Sequence, residues 1–263
     1  LLDFVKKKWF IFRWRDVTRR WPLEMLLNST DLELSEQQMS RLTDRIHSWR
    51  QLVAPYLKRF GQIGERRQVY CFGVAHGSTL HGLVSGFQDH DLPLPDFHLF
   101  DSFEGLPEEK LGVQAPLIWE KGAFAAPKEK LLAMVKSLNL GPDKYKIHEG
   151  WFSDTLKAEL VADGTFLPAA YVDIDGDLYS STMDCLDFLL EHKLIQAGTI
   201  IGYDDWGDTD IWTAGESRAH KEVLDKYNVT CAQLLSWGQQ PLIKKLFVVI
   251  SVGDESLITN QPR

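Results

Sequence analysis

From residue 69 onward the chain alternates between short β-rich runs and stretches of helical length. The runs are residues 69–73, 97–101, 145–149, 169–175, 198–205 and 245–251. Between the first five lie segments with helical patterning, from Ser78, over 127–138, from Asp154 and over 181–192. Strand–helix alternation of this kind predicts a mainly parallel sheet covered on both faces. The end differs: residues 231–235 and 245–251 are joined by a Gly-Gln-Gln-Pro turn with no helix between, which predicts a closing antiparallel hairpin. Before this region, Met39, Leu42, Ile46, Trp49, Leu52, Val53, Tyr56 and Leu57 recur at three and four, a helical period. Ser35 with Gln38 reads as its capping box, and Gly61 and Gly64 as its end. The organisation expected is a helical arm or cap over 1–64 followed by one α/β domain over 65–263.

Composition narrows the function classes. The 263 residues are 44% hydrophobic and 25% charged, ordinary for a globular chain with a sizeable core. A net charge of −8 argues against a general nucleic-acid binder. Cys71, Cys185 and Cys231 are too few and too scattered for a disulfide framework or a zinc site, so a reducing, cytoplasmic setting is expected. No apolar run is long enough to span a membrane, and no secretory signal pattern is present. The chain opens Leu1-Leu2 without Met, as a piece of a longer protein would. Residues 1–20 carry seven Lys or Arg against two Asp, interleaved with Trp9, Phe10, Phe12 and Trp14. Such an arm packs its aromatics on the domain or on a second copy, or else it attaches to a membrane surface or partner.

In an open α/β sheet, ligands bind beyond the carboxyl ends of the strands. The first strand ends in a glycine turn, Gly73 to Gly77, where backbone N–H groups at a helix start favour anionic groups. The dinucleotide fingerprint G-x-G-x-x-G is absent, which argues against NAD. The second strand ends at Asp101, where an acid can hold ribose hydroxyls. The fourth and fifth end in Asp175 and in Asp204-Asp205. Like charges at neighbouring strand ends repel, and a divalent cation with hard oxygen ligands offsets that repulsion. The other reading is solvated turn aspartates. Asp173-x-Asp175-x-Asp177 is not a calcium EF-hand loop, since the required glycine would fall at Leu178 and the final Glu at Asp184.

These elements together resemble the macrocin O-methyltransferase (TylF-like) family. The resemblance rests on Gly73-Val-x-x-Gly77-Ser78, Phe100-Asp-Ser-Phe-Glu-Gly-Leu-Pro107, Lys121-Gly-Ala-Phe124 and Gly150-Trp-Phe-Ser-Asp-Thr-Leu156. It continues in Val172-Asp-Ile-Asp-Gly-Asp-Leu-Tyr-Ser-Ser-Thr182, in Gly198-x-x-Ile201-x-x-Asp204-Asp205, and in Gly215, Glu216 and Ala219. Order and spacing match from about residue 66 to 250. The resemblance implies the class I methyltransferase fold, a Rossmann-like, mostly parallel seven-stranded sheet. It also implies S-adenosylmethionine (SAM) and Mg²⁺ or another divalent cation as cofactors, and O-methylation of sugar hydroxyls in natural product biosynthesis.

At matched positions it implies that Gly73, Val74, Ala75, Gly77 and Ser78 hold the methionine end of SAM. Asp101 would take the ribose, with Ser102 and Phe103 beside the adenosine, and Gly150, Trp151, Phe152 and Ser153 would flank the adenine. Asp175, Asp204 and Asp205 would bind the metal. One position departs: Cys71 stands where the family commonly has Glu. Asp175 is the preferred base, as both metal ligand and proton acceptor, and His76 and His81 are its rivals. The expected partner is a small-molecule hydroxyl acceptor, near Trp206, Asp208, Asp210, Trp212 and the arm, whose aromatics either stack on a sugar or aglycone or form a packed lid; the arm also offers a surface for a homo-oligomer. Two other functions are weighed. A metal-dependent glycosyltransferase would use Asp173 and Asp175 for a nucleotide-sugar diphosphate, but leaves the glycine turn and Asp204-Asp205 unexplained. A non-catalytic SAM-binding scaffold would leave the carboxylates without a role.

Overall fold

The computed structural model describes residues 48–60, 67–109, 120–207, 215–239 and 242–256. The strands are β1 (Gln68–Phe72), β2 (Asp96–Asp101), β3 (Tyr145–Glu149), β4 (Ala169–Ile174), β5 (Ile200–Trp206), β6 (Val229–Gln239), β7 (Leu242–Val252) and a two-residue β8 (Glu255–Ser256). The helices are α1 (Val53–Phe60), α2 (Ser78–Asp89), α3 (Lys128–Ser137), α4 (Phe152–Thr155), α5 (Tyr179–Glu191) and α6 (Glu216–Lys226). The sheet order is β3-β2-β1-β4-β5-β7-β6, with β8 paired to β7. The first five are parallel, and β7 runs antiparallel to both β5 and β6. This is the expected seven-stranded class I methyltransferase sheet, closed by a hairpin and extended by β8.

Alternation along each strand sends neighbouring side chains to opposite faces, so the sheet has two apolar layers. Val69, Cys71, Leu99, Tyr171 and Ile200 face one layer with α2, α3 and residues 49–57. Tyr70, Phe72, Phe100, Val172, Ile201 and Tyr203 face the other, with α5 and α6. Residues 48–60, the described part of the expected cap, enter the first layer: Val53 and Leu57 have no exposed surface.

Two local expectations are corrected. The helix expected from Ser35 to its end at Gly61 does not run through Ser48, whose backbone is extended. Ser48 and Gln51 form a capping box there, starting a 3₁₀ turn (Trp49–Leu52) that leads into α1. Residues 35–47, Gly61 and Gly64 lie outside the described residues, as does the basic segment 1–20. The helix expected from Asp154 is one turn, α4, followed by a separate 3₁₀ turn (Ala158–Val161). Leu156 at ψ 74 and an extended Lys157 break the helical path between them. Among the described residues, no helix is long and apolar enough to cross a membrane.

Candidate active site at the carboxyl edge of the sheet

A cavity of about 740 Å³ opens beyond the carboxyl ends of β1, β2, β3, β4 and β5. That is the edge at which α/β sheets take ligands, and the size suits a small-molecule site. Of the positions matched to a cofactor, Gly73, Val74, Ala75, Ser78, Asp101, Ser102, Gly150, Trp151, Phe152 and Ser153 line it. Gly77 and Phe103 do not line it. Gly77 is the N-cap of α2, in a left-handed conformation, with α3 side chains packed against it. Phe103 packs against the first apolar layer.

Asp101 organises the loops around it. Its Oδ2 accepts the Ala75 N–H at 2.7 Å and its Oδ1 accepts the Phe103 N–H at 2.6 Å. One carboxylate therefore fixes both the turn after β1 and the turn after β2, while each oxygen keeps lone-pair capacity for a ligand donor.

The carboxylates that follow β4 and end β5 line the same cavity. Asp175, Asp177, Asp204 and Asp205 all line it, and so does Lys244 of β7. Asp175, Asp177 and Asp205 each offer an atom within 4.8 Å of the others, close enough for one cation to be shared among them. Asp204 is turned to other partners: Oδ1 accepts from Trp49 Nε1 at 2.7 Å and pairs with Arg50 Nη1 at 3.2 Å, and Oδ2 pairs with Lys244 Nζ at 2.7 Å. Part of the charge that the sequence left unbalanced is thus offset by the chain itself. Arg50 also forks onto Asp173, with Nε at 2.9 and 3.0 Å from its two oxygens, and reaches Asp175 Oδ2 at 2.8 Å.

That offset is incomplete. Burial, then Asp204, pushes Asp175 well above the usual carboxylate range, against the pull of Arg50. Burial, then Asp205 and Asp175, lifts Asp177 to about 9. Burial and the neighbouring Asp204 raise Asp205. Burial also acts to raise Asp204, but Arg50 and Lys244 hold it below its ordinary value. Behind the cluster, Glu216 is fully buried; its Oε2 accepts the Asp205 N–H at 2.9 Å, and its Oε1 has no hydrogen-bond partner among the described residues. Burial and Asp205 push this carboxyl up as well. Three converging oxygen donors with excess negative charge fit a hard divalent cation.

Sequence reasoning did not single out Arg50, Lys244 or Glu216 at this site, and it gave Asp177, which stands within the matched 172–182 motif, no role beyond the rejected EF-hand loop. Of the two histidine rivals, His76 lines the cavity, whereas His81 is exposed on α2 and does not. Trp206 is 8% exposed and packs on Tyr203, His220 and Phe247, which removes it from the acceptor surface. Asp208, Asp210 and Trp212 lie outside the described residues. Cys71 is fully buried beside Asp173 in the sheet register, and burial raises its thiol well above the ordinary value. It does not line the cavity.

The family model described as Macrocin-O-methyltransferase (TylF) matches residues 71–227. The 8-demethyl-8-(2,3-dimethoxy-alpha-L-rhamnosyl)-tetracenomycin-C 4'-O-methyltransferase of Streptomyces olivaceus is 33% identical over 111 residues. That match covers 40% of this chain, and the chain spans 40% of the length of that relative. Among solved structures, the calicheamicin methyltransferase CalS11 aligns at a TM-score of 0.58 and 22% identity, over 87% of this chain and 86% of its own. The O-methyltransferase NovP aligns at 0.57 and 18%, over 75% of this chain and 79% of its own. At these identities the two structures establish the fold.

Proposed function

The chain belongs to the macrocin O-methyltransferase family, and we propose on that basis that it is a SAM-dependent, divalent-cation-dependent O-methyltransferase acting on a sugar hydroxyl of a glycosylated natural product. The observation that carries the proposal is a single cavity with two walls. One wall is the turn at 73–78 with Asp101, and the other is the carboxylate cluster of β4 and β5. The relative from Streptomyces olivaceus carries a rhamnosyl group in the name of its substrate, which supports a glycosylated acceptor. The family match leaves the nucleotide-sugar transferase reading with no finding behind it.

The residues divide the work as follows. The loops of 73–78 and 101–105 hold the cofactor, with Asp101 toward its ribose, and residues 150–153 flank the adenine. SAM supplies an electrophilic methyl group on a sulfonium. Asp175 and Asp205, with Asp177 in the same cluster and Asp204 alongside, hold the cation. Bound there, a divalent cation would supply Lewis-acid acidification of the acceptor hydroxyl. Asp175 accepts the acceptor hydroxyl's proton on the oxygen that Arg50 does not hold. The two walls would hold that hydroxyl oxygen in line with the methyl group, so that the new oxygen–carbon bond would form as the carbon–sulfur bond breaks and S-adenosylhomocysteine would leave. Most of the gain comes from holding the two reactants in line. The test is methyl transfer from labelled SAM to a panel of glycosylated and free hydroxyl acceptors. Transfer to a glycosylated member supports the reading, and transfer to none, with no binding of S-adenosylhomocysteine, overturns it.

A further inference from the structure

Arg50 reaches the site from the opposite end of the chain's contacts. Its partners Asp173 and Asp175 lie 123 and 125 positions away. Asp173 has no exposed surface and does not line the cavity. It also accepts the Tyr171 hydroxyl at 2.6 Å, so it sits behind the site as an anchor. If Arg50 were only the counter-ion of Asp173, its contacts to that carboxylate through Nε and Nη2 would suffice. Instead Nη2 also donates to Asp175 Oδ2 at 2.8 Å, and Nη1 pairs with Asp204 Oδ1 at 3.2 Å. These last two carboxylates do line the cavity. A guanidinium is a planar fork of fixed shape, so it sets the carboxylates it holds relative to one another, as a lysine ammonium does not. Its own placement is fixed by the Ser48–Gln51 capping box and by near-complete burial.

We infer that Arg50 is a positioning residue of the reaction: anchored on Asp173, it orients Asp175 and Asp204 toward the cavity and makes residues 48–52 part of the site. The inference rests on the function proposed above. It gives the segment before the sheet a chemical task that none of the strand-end motifs disclosed.

The test separates orientation from charge balance. Arg50→Met alone strands Asp173 without its cation and lowers stability whatever else Arg50 does. The double variant Arg50→Met/Asp173→Asn removes one positive and one negative charge together and keeps an acceptor for Tyr171. The net charge of the cluster is then unchanged, and losing the guanidinium that lies against Asp175 and Asp204 would by itself favour a cation, so weaker cation binding reports geometry. Expected are a melting temperature near that of the wild type and affinity for S-adenosylhomocysteine within about two-fold. Mn²⁺ binding, read by electron paramagnetic resonance, should weaken about five-fold or more. The kcat should fall about twenty-fold or more with the KM for SAM unchanged, as for loss of a positioning group. Arg50→Lys keeps the charge without the fork and is expected to fold, with kcat about ten-fold down. Wild-type Mn²⁺ binding and kcat in either variant would overturn the inference and leave Arg50 as the counter-ion of Asp173. If the unsubstituted chain binds neither Mn²⁺ nor S-adenosylhomocysteine, the proposed function falls and this inference with it, a failure that appears before any substitution is made.

Discussion

Gly73 and Asp175 are so close that a Cβ on the glycine would fall 1.8 Å from the aspartate's carbonyl oxygen. The same stretch is tied again by the Asp175 N–H, which donates to Phe72 O at 3.0 Å. The turn that lines one wall of the cavity and the carboxylate that lines the other are therefore set against each other by backbone contact. Gly73 also has φ +83, where a side chain costs about 1–2 kcal/mol before any clash is counted. Gly73→Ala is expected to weaken binding of S-adenosylhomocysteine about ten-fold or more and to lower the melting temperature by several degrees, as overpacking does. Calorimetry and a thermal melt check both. A variant with wild-type values would show that the two walls move independently.

Asp101 makes a narrower prediction. Its oxygens hold Ala75 and Phe103 through their N–H groups, and its proposed ligand is a ribose. Asp101→Ala is expected to weaken S-adenosylhomocysteine binding by about 1.5–3 kcal/mol, the loss of a charged hydrogen-bond acceptor. Asp101→Asn keeps an acceptor and should lose less. Equal affinities across the three proteins, measured by calorimetry, would remove Asp101 from the cofactor site.

A buried histidine pair on the other face of the sheet predicts a pH effect on stability. His98 Nδ1 and His148 Nε2 are 3.0 Å apart, and the rings stack among Tyr70, Phe100 and Phe166. Burial, then the neighbouring His148, lowers His98 to about 3, whereas an unfolded histidine titrates near 6.5. Between those values the unfolded chain binds a proton that the folded chain does not. The contribution of His98 is thus held above pH 6.5 and lost as the pH falls toward 3. His98→Phe removes that loss. The stability difference between variant and wild type should shift in the variant's favour by about 2 kcal/mol from pH 7.5 to pH 5. Denaturant melts at the two pH values measure it, and a constant difference would contradict the buried neutral state.

Much of the sheet was legible because each β-rich run is short, apolar and bounded by turn residues, and its end fell where a carboxylate or glycine follows. The strand ends at Asp101, Asp175 and Asp204 could be read because sheet topology places all of them on one edge. Arg50 could not, since it sits within a helical apolar pattern and its partners are more than a hundred positions away. Lys244 was hidden similarly, as one base near a hairpin turn, although it pairs with Asp204. Asp177 stood within the motif but was weighed only as a calcium ligand. Its neighbours show its part: burial and the β5 acids raise it, and it joins Asp175 and Asp205. The break at Ser48 was missed because apolar spacing continues through a capping residue without a change of period.

The carboxylates also give a prediction that needs no acceptor. Asp205→Asn is expected to weaken Mn²⁺ binding about ten-fold or more while leaving S-adenosylhomocysteine binding within about two-fold, because Asp101 and the 73–78 turn lie on other strands. Electron paramagnetic resonance and calorimetry read the two quantities separately. Parallel loss of both ligands would show collapse of the cavity.

Methyl transfer from labelled SAM to a glycosylated hydroxyl acceptor, followed with and without a chelator, tests the joint use of the two walls most directly. Transfer should stop in EDTA, return when Mg²⁺ is added in excess, and stay absent in Asp175→Asn at saturating Mg²⁺, with S-adenosylhomocysteine binding unaffected throughout. Undiminished transfer in excess chelator would contradict the cation at Asp175, Asp177 and Asp205 and move the proton acceptor to His76, the histidine that lines the cavity.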